Sequence, residues 1–175
     1  MKTILFLRAG ATSVDSQTPD DPRRSITRRG EVDALRIGEI MKNRELIPEV
    51  MLTSPALRAR QTAALIGRQS GYRGPVTPVK ELYGASLETL LEIIVRLPDE
   101  LDRVMIVGHS PGVKLALNRL TGWGKTFPAN ALAYLVIPIH TWGEVGNDGM
   151  RAVLVELWHP SKPACSYFMD FMEIG

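Results

Sequence analysis

Residues 3–7, Thr-Ile-Leu-Phe-Leu, are apolar without polar alternation and stop abruptly at Arg8-Ala9-Gly10. A run this short cannot be a free-standing helix, and one without polar alternation cannot be a half-exposed strand. It reads as a β-strand covered on both faces, which requires helices on two sides of the sheet. Such a strand delivers a permanent cation, Arg8, to its own C-terminal edge. That arrangement suits the holding of an anion.

The remaining chain supplies the expected layers. Thr27 reads as an N-cap, with Val32, Leu35, Ile40 and Met41 on one face of a helix to about Arg44. Gly30 falls within its first turn. Residues 49–53 form a second short strand, and Ser54-Pro55 opens a helix to about Gln69, with Ser as cap and Pro at the first helical position. Residues 75–79 are a proline-flanked strand near a sheet edge. Leu87 to Leu97 has helical spacing, and Arg103 to Val107 is another buried strand, ending in Gly108-His109-Ser110-Pro111. A helix over 112–120 and strands over 131–138 and 152–158 complete the order, with a turn at 143–149. Alternation of strand and helix predicts a three-layer α/β/α domain with a largely parallel central sheet and a mixed edge. The domain spans 1–160, and 161–175 is a tail, carrying Tyr167, Phe168, Met169 and Phe171, that packs on it or serves an interface.

Composition excludes several classes. The 175 residues fit one domain, and a net charge of +2 gives no case for nucleic acid. The cluster Arg23-Arg24 and Arg28-Arg29 is either a solvated loop and helix start or a rim for an acidic partner. The single cysteine, Cys165, forbids an intrachain disulfide framework and reads as a packing residue. No apolar run suits a signal peptide or a membrane span, so a cytoplasmic protein is expected. Gly122-Trp123-Gly124-Lys125-Thr126 ends like a nucleotide P-loop. Arg119 stands where that motif needs its first glycine, and the segment follows a helix rather than a strand. It reads as a plain connection.

Three features fall at C-terminal strand ends: Arg8, the Ser54-Pro55 helix start with Arg58, and Gly108-His109. In open α/β sheets ligands bind at that edge. Two guanidiniums and an imidazole converging beside a helix N-terminus would hold a phosphate.

Leu7-Arg8-x-Gly10, Ser54-Pro55-x-x-Arg58-Ala59-x-Gln61-Thr62 and Val107-Gly108-His109-Ser110-Pro111 together resemble the histidine phosphatase superfamily, with its phosphoglycerate mutase-like fold. The chain looks most like the small SixA-type phosphohistidine phosphatases. Arg24-x-x-Thr27-x-x-Gly30, Glu81-Leu82-Tyr83 and Phe127-Pro128-x-x-Ala131-Leu132-Ala133 support the likeness, which covers about residues 2–160. The resemblance implies hydrolysis through a covalent phosphohistidine intermediate, with no metal or other cofactor. It places Arg8, Arg58 and His109 on the phosphoryl oxygens and makes Glu81 a candidate general acid. The expected substrate is a phosphorylated protein, phosphohistidine first, or else a small phosphoester. Oligomeric state is open.

One position departs from the pattern. The family's Arg-His-Gly triplet is Arg8-Ala9-Gly10 here, and alanine can neither attack phosphorus nor take a proton. Ala9 fits a His-to-Ala change in an otherwise active phosphatase, which the intact remainder of the pocket favours. It also fits a natural pseudophosphatase that binds phosphoryl groups, or a different α/β protein altogether. As written, the chain is expected to be inactive.

Overall fold

The computed structural model describes residues 1–12 and 21–160. Within them lie strands β1 (Lys2–Arg8), β2 (Val50–Thr53), β3 (Val76–Pro78), β4 (Arg103–Gly108), β5 (Leu132–Ile137) and β6 (Val153–Trp158). The helices are α1 (Arg28–Asn43), α2 (Leu57–Ser70), α3 (Leu87–Val95) and α4 (Gly112–Thr121). The tail over 161–175, with Cys165 and its aromatic residues, lies outside the described residues.

The six strands form one sheet in the order β3-β2-β4-β1-β5-β6. β3, β2, β4 and β1 run parallel, while β5 is antiparallel to both of its neighbours. β1 explains the two-sided core. Ile4 and Phe6 pack on one face with Leu90, Ile94, Val113 and Leu117 of α3 and α4. Leu5 and Leu7 pack on the other with Ala34, Ile37, Ala63 and Ile66 of α1 and α2. All four β1 residues are fully buried. Each such side chain contributes roughly 1.5–3 kcal/mol relative to exposure. The expected three-layer α/β domain with a mixed edge is what forms.

Local chemistry sets the ends of the helices. Thr27 caps α1 by accepting from the Gly30 amide at 3.0 Å. Gly30 does not break the turn, because the chain at Ala11 passes against it, where a Cβ would lie 3.3 Å from the Ala11 carbonyl. Gly71, at φ 84°, ends α2 in the left-handed conformation that glycine adopts without strain. Gly122 ends α4 in the same way, so 122–126 is indeed a connection after a helix.

Three local expectations are corrected. The buried face of α1 is Gly30, Ala34, Ile37, Gly38 and Met41, while Val32 is exposed. Choosing the face by large apolar residues missed the close approach of α1 to α2, which small residues permit. A Cβ on Gly38 would come within 2.7 Å of the Gln69 Cβ. Ser54 and Pro55 do not start α2. Its N-cap is Ala56, without a side-chain cap, and Ser54 is occupied elsewhere. The β5–β6 connection is more than a turn, since Trp142–Glu144 forms a 3-10 segment whose buried indole donates to the Leu101 carbonyl at 2.9 Å.

Candidate active site

Register brings the motifs together. Arg8 lies opposite Gly108 across the parallel β1–β4 pair, and Thr53 lies opposite Val107 across β2–β4. Three strand ends therefore stop in one row, and the residues that follow them share a cleft. Arg8, Ala9, Gly10, Arg58, His109 and Ser110 line it, in a volume of about 190 Å³. The cleft is the right size for a phosphoryl group and the atoms next to it.

Each wall is braced by its own polymer chemistry. The Arg8 guanidinium donates to the Phe127 carbonyl at 2.8 Å, which fixes its fork. Partial burial lowers its pKa from the usual guanidinium value. It stays cationic at neutral pH. The Ala9 amide donates to the Gly108 carbonyl at 2.8 Å, tying the floor to β4. The Gly10 amide donates to Thr62 Oγ1, whose hydroxyl donates to the Arg58 carbonyl at 2.7 Å. A side chain on Gly10 would crowd Ile26, Thr62 and Asn130 at 3.1–3.3 Å. Glycine is needed there for close approach rather than for its φ.

His109 sits at the end of β4. Its Nε2 is 2.7 Å from Ser54 Oγ, and its ring meets Tyr83 edge-on at 5.9 Å between centroids. Burial, then the charge of Arg58, then that of Arg8 lower its pKa from 6.5 to about 4. The ring is therefore neutral at pH 7, with one nitrogen donating and one accepting. Ser54 Oγ already accepts from the Ala56 amide at 3.3 Å. With one lone pair and one proton left, the hydroxyl can pair with Nε2 in either tautomer. A neutral imidazole can donate to an anion through its one N–H without adding a third positive charge.

The sequence-derived site residues Arg8, Ala9, Arg58 and His109 all come together at this cleft. Glu81 does not join them. It is exposed on the 3-10 segment Lys80–Leu82 and is absent from the cleft lining, although Tyr83 of the same stretch touches His109. The helix N-terminus contributes less than expected, because the Leu57 amide is taken by the Pro22 carbonyl at 2.7 Å.

Ser54 and Asn130 were missed as partners that brace the cleft residues. Ser54 looked like a cap, and Asn130 filled an unassigned place between Pro128 and Ala131. Asn130 is buried with φ 57°, a left-handed conformation that asparagine tolerates. Its amide donates to the Arg8 carbonyl at 2.9 Å and its side chain to the Gly30 carbonyl at 3.1 Å. Among the described residues there is no cluster of His, Cys, Asp or Glu that could hold a metal ion. No helix among them is long and apolar enough to cross a membrane.

Residues 4–88, which carry Arg8 and Arg58, match the family described as histidine phosphatase superfamily, branch 1. That match spans just under half of the chain, and over it the chain is similar to the histidine phosphatases. Solved structures of the phosphoglycerate mutase-like fold extend the structural likeness over the second half of the chain. A chain assigned as phosphohistidine phosphatase SixA in Agrobacterium tumefaciens is 25% identical, covering 91% of this chain and 98% of its own, with a TM-score of 0.77. One so assigned in Nakamurella multipartitia has a TM-score of 0.78 at 23% identity, covering 92% and 97%. A protein histidine phosphatase SixA complexed with tungstate has a TM-score of 0.75 at 19% identity, covering 90% and 97%. An uncharacterized Mycobacterium leprae protein is 29% identical over 142 residues, 74% of this chain and 86% of that one.

Proposed function

We propose that this is a SixA-like phosphoryl-binding domain whose parent activity is hydrolysis of protein phosphohistidine, and that the chain with Ala9 binds phosphoryl groups without turning them over. The observation that carries the reading is the convergence of Arg8, Arg58 and neutral His109 on one cleft with Ala9 at its base. Two guanidiniums and an imidazole donor offset charge on a phosphoryl group as it is transferred. The step they would assist needs a nucleophile at position 9, where an imidazole nitrogen would attack phosphorus as the bond to the leaving group breaks. Water would then release phosphate. Alanine removes the attacking lone pair and leaves the anion-holding groups intact.

Phosphohistidine is favoured over alkyl phosphates because its leaving imidazole needs little help from an acid. The exposed position of Glu81, outside the cleft lining, agrees with that choice. The deciding experiment is Ala9→His, assayed with p-nitrophenyl phosphate and with a phosphohistidine peptide. Turnover of the peptide in the variant, with none in the parent chain, is the expected result. No turnover of either substrate by the variant would sink the phosphatase reading.

A further inference from the structure

Beside the cleft, α2 and the edge strand β3 enclose a groove of about 350 Å³. Leu57, Ala64, Val76 and Pro78 give it aliphatic walls, and Gln61 and Arg60 give it polar ones. Helical geometry relates the two sites. Leu57, Arg60, Gln61, Ala64 and Arg68 share one stripe of α2, and Arg58 lies on the adjoining stripe, toward the cleft. A ligand whose phosphoryl group rests on Arg58 therefore has the groove next to it.

The charge of this unit is one-sided. Between Glu49 and Glu81 the chain carries Arg58, Arg60, Arg68, Arg73 and Lys80 and no carboxylate side chain. Arg60, Arg68, Arg73 and Lys80 are exposed. None of the five forms an ion pair with a described carboxylate. The parallel topology puts Arg73 at the far end of the groove and Lys80 at the cleft end. A chain that is nearly neutral overall thus concentrates on one unit cations that pair with no carboxylate among the described residues.

We propose that the groove docks an acidic segment of the phosphorylated protein whose phosphoryl group enters the cleft. The proposal rests on the phosphoryl-site reading above. Aliphatic walls suit the side chains of a peptide. Nucleic acid would want exposed aromatic rings among the cations, and of the exposed large apolar residues none lies in β2, α2 or β3.

The test uses the chain as it is, which holds phosphoryl groups without consuming them. Two peptides of about twelve residues, long enough when extended to run past the roughly 20 Å of α2, carry the stable phosphohistidine mimic phosphoryl-triazolylalanine. One is flanked by glutamates, the other by glutamines. Fluorescence anisotropy should show the acidic peptide binding at least about tenfold more tightly, as expected for several surface charge pairs. That preference should fade between about 50 and about 200 mM salt. The triple variant Arg60→Gln, Arg68→Gln, Arg73→Gln, at exposed positions that leave the core untouched, should erase the preference while inorganic phosphate binds as before. Equal affinity for the two peptides, or a preference that survives in the triple variant, overturns the proposal. Tighter binding of single-stranded DNA or of anionic phosphatidylserine vesicles than of the acidic peptide, lost in the same variant, overturns the choice of partner. If inorganic phosphate fails to displace either peptide, the phosphoryl-site reading fails, and the acidic-to-neutral ratio still judges the groove.

Discussion

Ser54 Oγ and His109 Nε2 lie 2.7 Å apart and join the chain just after β2 to the chain just after β4. Both groups come from motifs far apart in sequence, and the bond holds the imidazole in place at the cleft. Ser54→Ala leaves Nε2 without its partner in a site where Ser54 itself is fully buried. A loss of about 1–3 kcal/mol in stability is expected from the orphaned ring nitrogen. Tungstate affinity should fall about three- to tenfold as the ring loses its anchor, in line with the loss of one oriented hydrogen bond. Urea denaturation and calorimetry measure the two effects. Unchanged stability with unchanged affinity would contradict the role given to Ser54.

Arg58→Ala removes a charge-assisted donor from the cleft while leaving the Thr62 link to the residue 58 carbonyl in place. Such bonds contribute about 1.5–3 kcal/mol. Phosphate and tungstate should bind at least about tenfold more weakly. An unaltered dissociation constant would mean that the anion site lies elsewhere.

His109 should titrate far below an ordinary histidine, near pH 4, because burial and two guanidiniums oppose its charge. Arg58→Ala should raise that value. The folded-state pKa is depressed, so between about 4 and about 6.5 the unfolded chain binds more protons than the folded one. Stability from the neutral ring is thus fully present above the unfolded value and lost as pH falls through that window. Urea midpoints of the parent and of His109→Gln should differ most at pH 7.5 and converge toward pH 5. A difference that grows on acidification would contradict the sign.

Gly38→Ala sets two effects against each other. Helix propensity favours alanine by about 1 kcal/mol. The new Cβ would lie 2.7 Å from the Gln69 Cβ and 3.0 Å from the Ile66 carbonyl, too close unless α1 moves off α2. Overpacking of about 1–3 kcal/mol should win, and the melting temperature should drop. Phosphate affinity should stay within about twofold, since Gly38 is remote from the cleft lining. A rise in melting temperature would show that the helices separate more easily than their packing implies.

The layered fold was legible because β1 and β4 are apolar on both faces, and only a sheet between two helix layers buries both. Arg8, Arg58 and His109 were legible because each follows a strand end or opens a helix. The α1 face was misread because its packing depends on Gly30, Ala34 and Gly38, residues that carry almost no hydrophobic signal. Ser54 was misread because a serine before Pro55 has the local signature of a cap, and its partner lies 55 positions away. Glu81 was chosen by motif position, and the exposed 3-10 segment on which it sits has no local signature in Glu-Leu-Tyr-Gly.

The alignment of strand ends also sets how the site moves. The Ala9 amide is held by Gly108, the Ser54 amide by Val107, and the Asn130 amide by Arg8. The floor under the ligand is thus part of the hydrogen-bonded ladder rather than a loop laid over it. Its amide protons should therefore exchange slowly, with the set that reports global opening. A phosphoryl group meeting this floor meets backbone that is already hydrogen-bonded, so little of its binding energy is spent on freezing these three positions.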